Sequence, residues 1–228
     1  MYPPKDINLN LNTHKRLLRA SLYNALSKAI LAQRSQEDPL RVLDVGCGRG
    51  ELLHILSEKG CKVTGVDLNK ECVDVAAQYA SCVQGSFVDL SKHFQPGDFD
   101  VIVTSHVIEH VQSPITALTS LRGMNAKGYI LAIPNIHRSS RIIRLLLGSA
   151  RGDHPTHYFG WGRAEFSALL NASGFEIVQW YTDRVSINPF QGAVGAKFTK
   201  FLAPIEERFL PHLFPLLSSS LIVSCKPC

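Results

Sequence analysis

Residues 42–51 read Val42-Leu43-Asp44-Val45-Gly46-Cys47-Gly48-Arg49-Gly50-Glu51. A short apolar run stops at a carboxylate, glycines then alternate with other residues, and Glu51 opens an amphipathic segment. This order predicts a buried strand, a tight turn and a helix. The stretch therefore indicates the opening of a nucleotide-binding α/β domain, because glycines let a ligand approach the backbone closely.

Apolar strands and amphipathic helices alternate on both sides of this turn. Strands are predicted at 41–45, 62–67, 81–84, 99–105 and 128–133, and helices at 13–32, 50–59, 70–79 and 113–124. A helix at 163–173 and strands at 175–181 and 220–226 follow. We expect an α/β, Rossmann-like, seven-stranded and mostly parallel sheet with helices on both faces. The last two strands are expected to form a C-terminal antiparallel hairpin.

The chain has 228 residues, of which 45% are hydrophobic, and this size suits a single domain with a sizeable core. We divide the domain into an N-terminal arm and helix (1–39), a cofactor-binding core (40–135), a substrate lid (136–162) and a C-terminal part (163–228). The last part holds a helix, the hairpin and an apolar insert. A net charge of +5 leaves an anionic substrate, RNA or an acidic membrane surface open as partners.

Targeting and cysteine patterns predict a cytoplasmic protein with reduced thiols. No apolar stretch approaches the roughly 18–20 residues that span a bilayer, and Met1–Asp6 lacks the apolar core of a signal peptide. The six cysteines are scattered through periodic segments. Cys225 and Cys228 have metal-site spacing but no second pair, so the pattern does not favour a metal or redox site there.

The position of Asp44 indicates which nucleotide the turn accepts. It stands before the first glycine, where its carboxylate would repel a pyrophosphate, so the pattern argues against a dinucleotide. A ligand with a cationic amino group suits it better. Asp67 comes 23 positions later at the end of the next strand, where an acid can accept both hydroxyls of a ribose. S-adenosylmethionine meets both requirements.

Three stretches resemble the motifs of class I S-adenosylmethionine-dependent methyltransferases of types 11 and 23. They are 42–75, 99–111 and 128–135, and the resemblance covers about 40–185. The most similar characterised enzymes look like ubiquinone-pathway O-methyltransferases. The resemblance implies S-adenosyl-L-methionine as cofactor and a small-molecule substrate, and it is far more specific for the cofactor than for the substrate.

The resemblance also implies roles for individual cofactor-binding residues. Asp44, Gly46, Cys47 and Gly48 would line the methionine end, Asp67 and Leu68 would hold the ribose, and Ser105 would lie under the sulfonium. Gly85, Ser86 and Phe87 match a stretch whose central acid usually contacts the adenine amino group. Ser86 replaces that acid here, so we expect a weaker adenine contact, with Asp89 as a substitute.

The segment His106-Val107-Ile108-Glu109-His110 is the candidate for proton removal, because it follows the fourth strand. A helical turn there would place His106, Glu109 and His110 on one face. Three interpretations stay open: a general base, His110 or His106, held by Glu109; half of a metal site; or a structural motif. The metal site would be completed by Asp153, His154 or His157. The resembling quinone and small-RNA methyltransferases have Glu-x-x-Glu-His here, and His106 stands where they have the first Glu.

The substrate side is expected beyond the fifth strand. His157, Tyr158, Phe159 and Trp161 resemble a short substrate-side motif that closes over the pocket, and the alternative is an aromatic loop that only packs. Arginines at three-residue spacing alternate with bulky apolar residues in 138–148. This pattern suits an ordinary lid helix with its arginines in water, and it also suits a helix that makes peripheral membrane contact. The apolar insert 185–219 is expected to form an apolar cover that contributes to a substrate pocket or to a dimer contact.

Three functions compete. The first is an O-methyltransferase acting on a small, apolar or lipid-like hydroxyl compound. The second is a metal-assisted RNA terminal 2′-O-methyltransferase. An RNA-binding protein is expected to have a clear basic face with stacking aromatics, and this sequence shows neither. The third is a catalytically silent module that binds S-adenosylmethionine. The sequence does not determine the oligomeric state.

Overall fold

A computed structural model of the chain describes residues 13–34, 39–148, 157–187 and 201–228. Seven strands form one sheet in the order β3-β2-β1-β4-β5-β7-β6. The strands are β1 Arg41–Val45, β2 Lys62–Asp67, β3 Ser81–Gln84, β4 Val101–Ser105, β5 Gly128–Pro134, β6 Phe175–Tyr181 and β7 Ser220–Pro227.

Helices connect these strands. They are α1 Thr13–Leu31, α2 Glu51–Glu58, α3 Lys70–Ala76, α4 Leu90–His93, α5 Pro114–Gly123, α6 Ser139–Leu146, α7 Arg163–Ala172 and α8 Leu210–Leu213. Shorter helical turns lie at Phe87–Asp89, Ile108–His110, Ile205–Phe209 and Pro215–Leu217. The predicted basic helix after the fifth strand is confirmed as α6.

The predicted sheet architecture is confirmed. Strands β1 to β5 pair in parallel, whereas β7 runs antiparallel to both β5 and β6. The order of the strands reverses between β1 and β4, and ligands bind beyond the carboxyl ends of strands at such a point. Because Pro134 at the end of β5 pairs with Ser220 at the start of β7, β7 begins at this same edge.

Alternation along the strands divides the core between the two faces of the sheet. Leu43 and Val45 of β1 pack with one apolar cluster, and Val42 packs with the other. Both faces are therefore covered, as parallel strands require. The cluster that holds Val42 also includes Leu26 and Ile30, which fixes α1 against the sheet.

The structure differs from the sequence-based expectations in two places. The segment after β4 is not a helix: His106 has a left-handed φ of 57°, and only Ile108–His110 form a helical turn. The insert 185–219, for which the sequence showed no clear period, contains the helical turns between 205 and 217. Several predicted features, the arm 1–12, Asp153 and His154 among them, lie outside the described residues.

A helix that crosses a bilayer must be longer and more apolar than one that lies on its surface. Among the helices that the structure describes, none is both long and apolar enough to cross a bilayer.

Candidate active site

The glycine turn after β1 forms the floor of the candidate site. Gly46, Gly48 and Gly50 all have positive φ angles, of 83°, 55° and 85°, which side chains other than glycine rarely tolerate. The amides of Gly46 and Cys47 donate to the Val66 carbonyl at 2.7 and 3.0 Å, which ties the turn to β2. A Cβ atom on Gly46 would collide with the Val107 side chain. The turn therefore lies directly against the segment that follows β4.

Asp67 is held at the end of β2 by backbone amides. Its Oδ2 accepts a 2.8 Å hydrogen bond from Gly48, and its Oδ1 accepts a 2.9 Å hydrogen bond from Asn69. A carboxylate oriented in this way keeps lone pairs for a ligand. The structure thus brings Asp67 and the glycine turn together, as the sequence predicted for a ribose acid.

Carboxylates converge beside the turn. Asp44 is buried, and burial, followed by the nearby charges of Asp67 and Glu51, raises its pKa to about 8. Buried Glu51 accepts a 2.9 Å hydrogen bond from Arg19 of α1. This excess of acids over cations favours a positively charged ligand.

Helix α1 lies over these acids. Burial raises the pKa of the Tyr23 phenol above its ordinary value, and the neighbouring Glu51 and Asp44 charges act in the same direction. Arg19 and Tyr23 lie one helical turn apart on α1, so both belong to the face of the helix that lies near Glu51. Sequence reasoning missed Glu51 and Arg19, although an acid directly after the third glycine was a usable signal.

The stretch after β3 meets Asp67 through the backbone. The Gly85 amide donates to the Asp67 carbonyl at 3.0 Å. Ser86 Oγ donates to Asp89 at 2.7 Å, and Lys92 pairs with Asp89 at 2.6 Å. These partners hold the pKa of Asp89 below its usual range, with the Lys92 hydrogen bond as the largest cause. Asp89 is thus engaged by its own helix rather than freely presented as an adenine contact.

Of three predicted cofactor contacts, one presents its side chain to the site and two present their backbone. Leu68 is 70% exposed at the end of β2, so its side chain is available to cover a ligand ring. Phe87 is buried in the core, which leaves its backbone for the site. Cys47 is also buried, with its sulfur near Gly65, so the turn presents its backbone.

Ser105 and His106 end β4 at the point where strand order reverses. Ser105 is half-buried. His106 Nε2 lies 3.1 Å from Ser220 Oγ at the start of β7. Burial, together with the positive charges of His157 and Arg138, lowers the pKa of His106 to about 3. A group with so low a pKa is neutral at ordinary pH and is a weak base.

Glu109, His110 and His157 form a compact cluster next to this strand end. Their ligand atoms all lie within 4.8 Å of one another. Glu109 Oε1 is 3.9 Å from His110 Nε2 and 4.0 Å from His157 Nε2. The Tyr158 amide donates to the Glu109 carbonyl at 3.0 Å, which brings His157 to the cluster. His106, in contrast, points toward Ser220 and does not join it.

The Glu109 carboxylate is the least satisfied group of the cluster. It is 1% exposed, and neither of its oxygens has a hydrogen-bond partner among the described residues. Burial raises its pKa to about 7. One carboxylate and two imidazoles are a donor set that fits a divalent metal ion, and the orphaned oxygens need such a partner or a proton.

The aromatic residues near His157 pack against one another. Phe159 stacks on Trp161, with ring centroids 5.4 Å apart, and Trp161 packs toward Phe166 of α7. Tyr158 remains 64% exposed. The loop is therefore anchored on one side by α7 and on the other by Glu109.

The chain is similar to known proteins along most of its length. The profile of the methyltransferase domain family matches residues 14–180. A ubiquinone biosynthesis O-methyltransferase of Xanthomonas campestris pv. campestris is 30% identical over 162 residues, which are 61% of this chain and 67% of that protein. A protein of the same name from Xylella fastidiosa is 30% identical over 202 residues, 75% of this chain and 82% of that one.

Solved structures show the same fold at lower identity. A magnesium protoporphyrin IX methyltransferase from Synechocystis PCC 6803, with bound SAH, superposes with a TM-score of 0.65 at 17% identity, covering 96% of this chain and 89% of that one. A SAM-dependent methyltransferase from Archaeoglobus fulgidus gives a TM-score of 0.64 at 19% identity, covering 91% and 94%.

Proposed function

Because this chain belongs to the methyltransferase domain family and is a class I S-adenosylmethionine-dependent enzyme, we propose that it methylates a hydroxyl group of a small apolar acceptor. The observation that carries the proposal is the buried cluster of Glu109, His110 and His157 at the end of β4. An oxygen nucleophile must lose a proton on methylation, and this cluster follows β4 at the edge of the sheet where ligands of such folds bind. The O-methyltransferase relatives support the same choice of atom.

The residues around the glycine turn are those we assign to the cofactor. When bound, S-adenosylmethionine supplies a methyl group on a cationic sulfonium. Asp67 accepts hydrogen bonds from the ribose hydroxyls, and the acids Asp44 and Glu51 compensate the positive charge of the methionine end. Arg19 is paired with Glu51 at 2.9 Å. It also supplies a cation for the carboxylate of the methionine end of the cofactor. Ser105, at the end of β4, would lie near the sulfonium.

Glu109 is the proposed proton acceptor. A general base works best when its pKa is near the operating pH, and burial raises the pKa of Glu109 to about 7. Its Oε1 lies 3.9 Å from His110 Nε2 and 4.0 Å from His157 Nε2, so both imidazoles border the proton acceptor. A divalent metal ion held by the three residues would lower the pKa of the bound hydroxyl.

The surroundings favour an acceptor with an apolar body. Exposed apolar side chains gather on segments near the carboxyl edge of the sheet: Leu145, Leu146, Leu147, Phe201, Phe209, Phe214 and Leu216. Their segments are joined by hydrogen bonds from Ser139 to Ser186 and from Ile187 to Glu206. We propose that α6, with Arg141 and Arg144, contacts an anionic membrane that holds such an acceptor.

The test is methyl transfer from radiolabelled S-adenosylmethionine to three acceptors. These are a catechol with an isoprenoid tail, the same catechol without a tail, and an RNA oligonucleotide with a free terminal 2′-hydroxyl. We expect the tailed catechol to be the best acceptor. Transfer to the RNA alone would favour the alternative, metal-assisted 2′-O-methylation.

Two variants assign the role of the cluster. Glu109→Gln should abolish transfer, because an amide cannot accept the proton, while S-adenosylhomocysteine binding stays within about twofold. Glu176→Gln, on the exposed face of β6 where Glu176 pairs with Lys226, is the matched control. Full activity of Glu109→Gln would contradict the proposal.

A further inference from the structure

His106 adopts a backbone conformation that its side chain does not favour. Its φ of 57° is left-handed, and such outliers in non-glycine residues concentrate at functional sites. The amide of His106 still donates to the Ala132 carbonyl of β5 at 2.9 Å. The conformation therefore turns the side chain without breaking the register of the sheet, and it brings Nε2 to the start of β7.

Ser220 joins His106 to a buried acid. Its Oγ lies 3.1 Å from His106 Nε2, and its amide donates a 3.0 Å hydrogen bond to Asp183 Oδ1. The Ser220 side chain is also a hydrogen-bond partner of the Asp183 carboxyl. Both Ser220 and Asp183 are buried. Three separate segments, the ends of β4 and β6 and the start of β7, meet at this contact.

The protonation state of Asp183 determines the direction of these hydrogen bonds. Burial raises the pKa of Asp183 to about 7, so above that pH it is a carboxylate. A carboxylate only accepts, and a serine hydroxyl has a single proton to donate. If that proton goes to Asp183, Ser220 Oγ must accept from His106, so the hydrogen of the imidazole lies on Nε2. Nδ1 then carries the free lone pair. The partner of one ring nitrogen commonly selects the tautomer of a histidine in this way.

We infer that Asp183 and Ser220 are positioning residues that hold His106 as the Nε2–H tautomer, so that Nδ1 accepts a hydrogen bond from the acceptor hydroxyl. This inference rests on the proposed function and deepens it. His106 orients the oxygen and Glu109 takes its proton. The low basicity of His106 agrees with this division, since it stays neutral and does not compete for the proton.

The tautomer is measured directly by nitrogen-15 NMR on histidine-labelled protein, with His106→Gln to assign the resonance. At about pH 8, where Asp183 is ionised, we expect a protonated Nε2 and an unprotonated Nδ1 in the wild type with bound S-adenosylhomocysteine. Asp183→Asn offers an amide donor to Ser220, so it should increase the population of the Nδ1–H tautomer. A wild-type His106 with its hydrogen on Nδ1 would overturn the inference, whatever the activity.

Kinetics separate positioning from a merely structural role. Ser220→Ala should lower kcat/KM for the acceptor by about tenfold or more, with unchanged affinity for S-adenosylhomocysteine. Ser220→Thr, which keeps the hydroxyl, should restore it. Ser224→Ala is the control, because Ser224 is a buried serine of the same strand whose hydroxyl meets only the Gln179 carbonyl. An equal loss in Ser220→Ala and Ser224→Ala would contradict the inference. Failure of every hydroxyl acceptor with wild-type enzyme would instead overturn the proposed function and, with it, the role given to Nδ1.

Discussion

The Gly48 amide donates a 2.8 Å hydrogen bond to Asp67 Oδ2, and this bond joins the glycine turn after β1 to the end of β2. The second oxygen of Asp67 accepts from the backbone amide of Asn69, the residue whose side chain caps α3. One carboxylate thus fixes the glycine turn and orients the first turn of the next helix. Its removal affects both the ligand and the shape of the turn.

Asp67→Ala should weaken cofactor binding by at least about tenfold, because hydrogen bonds to a charged group contribute roughly 1.5–3 kcal/mol. The loss of the Gly48 anchor adds to this effect. Titration calorimetry with S-adenosylhomocysteine measures it. Asp74→Ala, which removes an exposed acid paired with Lys70 on α3, is the matched control and should bind normally. Equal affinities for the two variants would remove Asp67 from the site.

Asp44 links stability to pH with an unusual sign. Its folded pKa of about 8 lies above the value of about 3.9 expected in the unfolded chain, so the folded protein holds an extra proton between these values. Its contribution to the free energy of unfolding is therefore greatest below about pH 4 and falls as pH rises toward 8. Asp44→Asn should flatten this dependence and stabilise the ligand-free protein. Thermal denaturation between pH 5 and 9 measures the difference.

The same group predicts proton release on cofactor binding. A cation beside Asp44 favours its charged form, so binding of S-adenosylmethionine should release a proton below pH 8 and strengthen as pH rises from 6 to 8. Calorimetry in buffers with different ionisation enthalpies detects this proton. Asp44→Asn should bind weakly and release none. Affinity independent of pH in the wild type would mean that another group compensates the cation.

The sequence predicted the features that depend on local order. The β/α alternation, the tight glycine turn and the placement of Asp44 and Asp67 at neighbouring strand ends all follow from residue order, periodicity and the geometry of parallel strands. Glu109 and His110 are adjacent in sequence, and His157 was singled out as well. A backbone hydrogen bond from Tyr158 to Glu109 brings His157 to the cluster, and no sequence pattern predicts this bond.

Contacts between distant segments could not be predicted. Ser220 meets His106 across 114 positions because β7 inserts between β5 and β6, and the alternation of elements does not determine that order. The buried pair of Arg184 and Glu206 is similar: both residues look like solvent-exposed charges in the sequence, and only tertiary packing buries them. The left-handed turn at His106 also overrides the helical spacing of 106–110.

Metal binding by the cluster is testable apart from activity. We expect Mn²⁺ or Zn²⁺ to bind one site per chain by calorimetry after dialysis against a chelator, since the set of one carboxylate and two imidazoles suits such ions. His157→Ala and Glu109→Gln should each abolish binding. His54→Ala, at a half-buried histidine of α2 paired with Glu58, is the control. Wild-type protein that binds neither ion would leave Glu109 as an unassisted base.

Helix α6 predicts a surface that binds anionic lipid. Leu146 is 82% exposed and Leu147 is 71% exposed on a helix that also carries Arg141 and Arg144. Burial of such leucines in a bilayer stabilises association by roughly 1.5–3 kcal/mol each. Leu146→Glu should therefore reduce co-sedimentation with phosphatidylglycerol vesicles by about tenfold or more and leave methyl transfer to a short, soluble catechol unchanged. Val178→Glu, at a 59% exposed apolar residue of β6, is the matched control.

Binding by the wild type should also weaken as salt is raised, because the arginines attract the lipid headgroups. Vesicle binding that Leu146→Glu leaves intact would move the membrane contact away from α6.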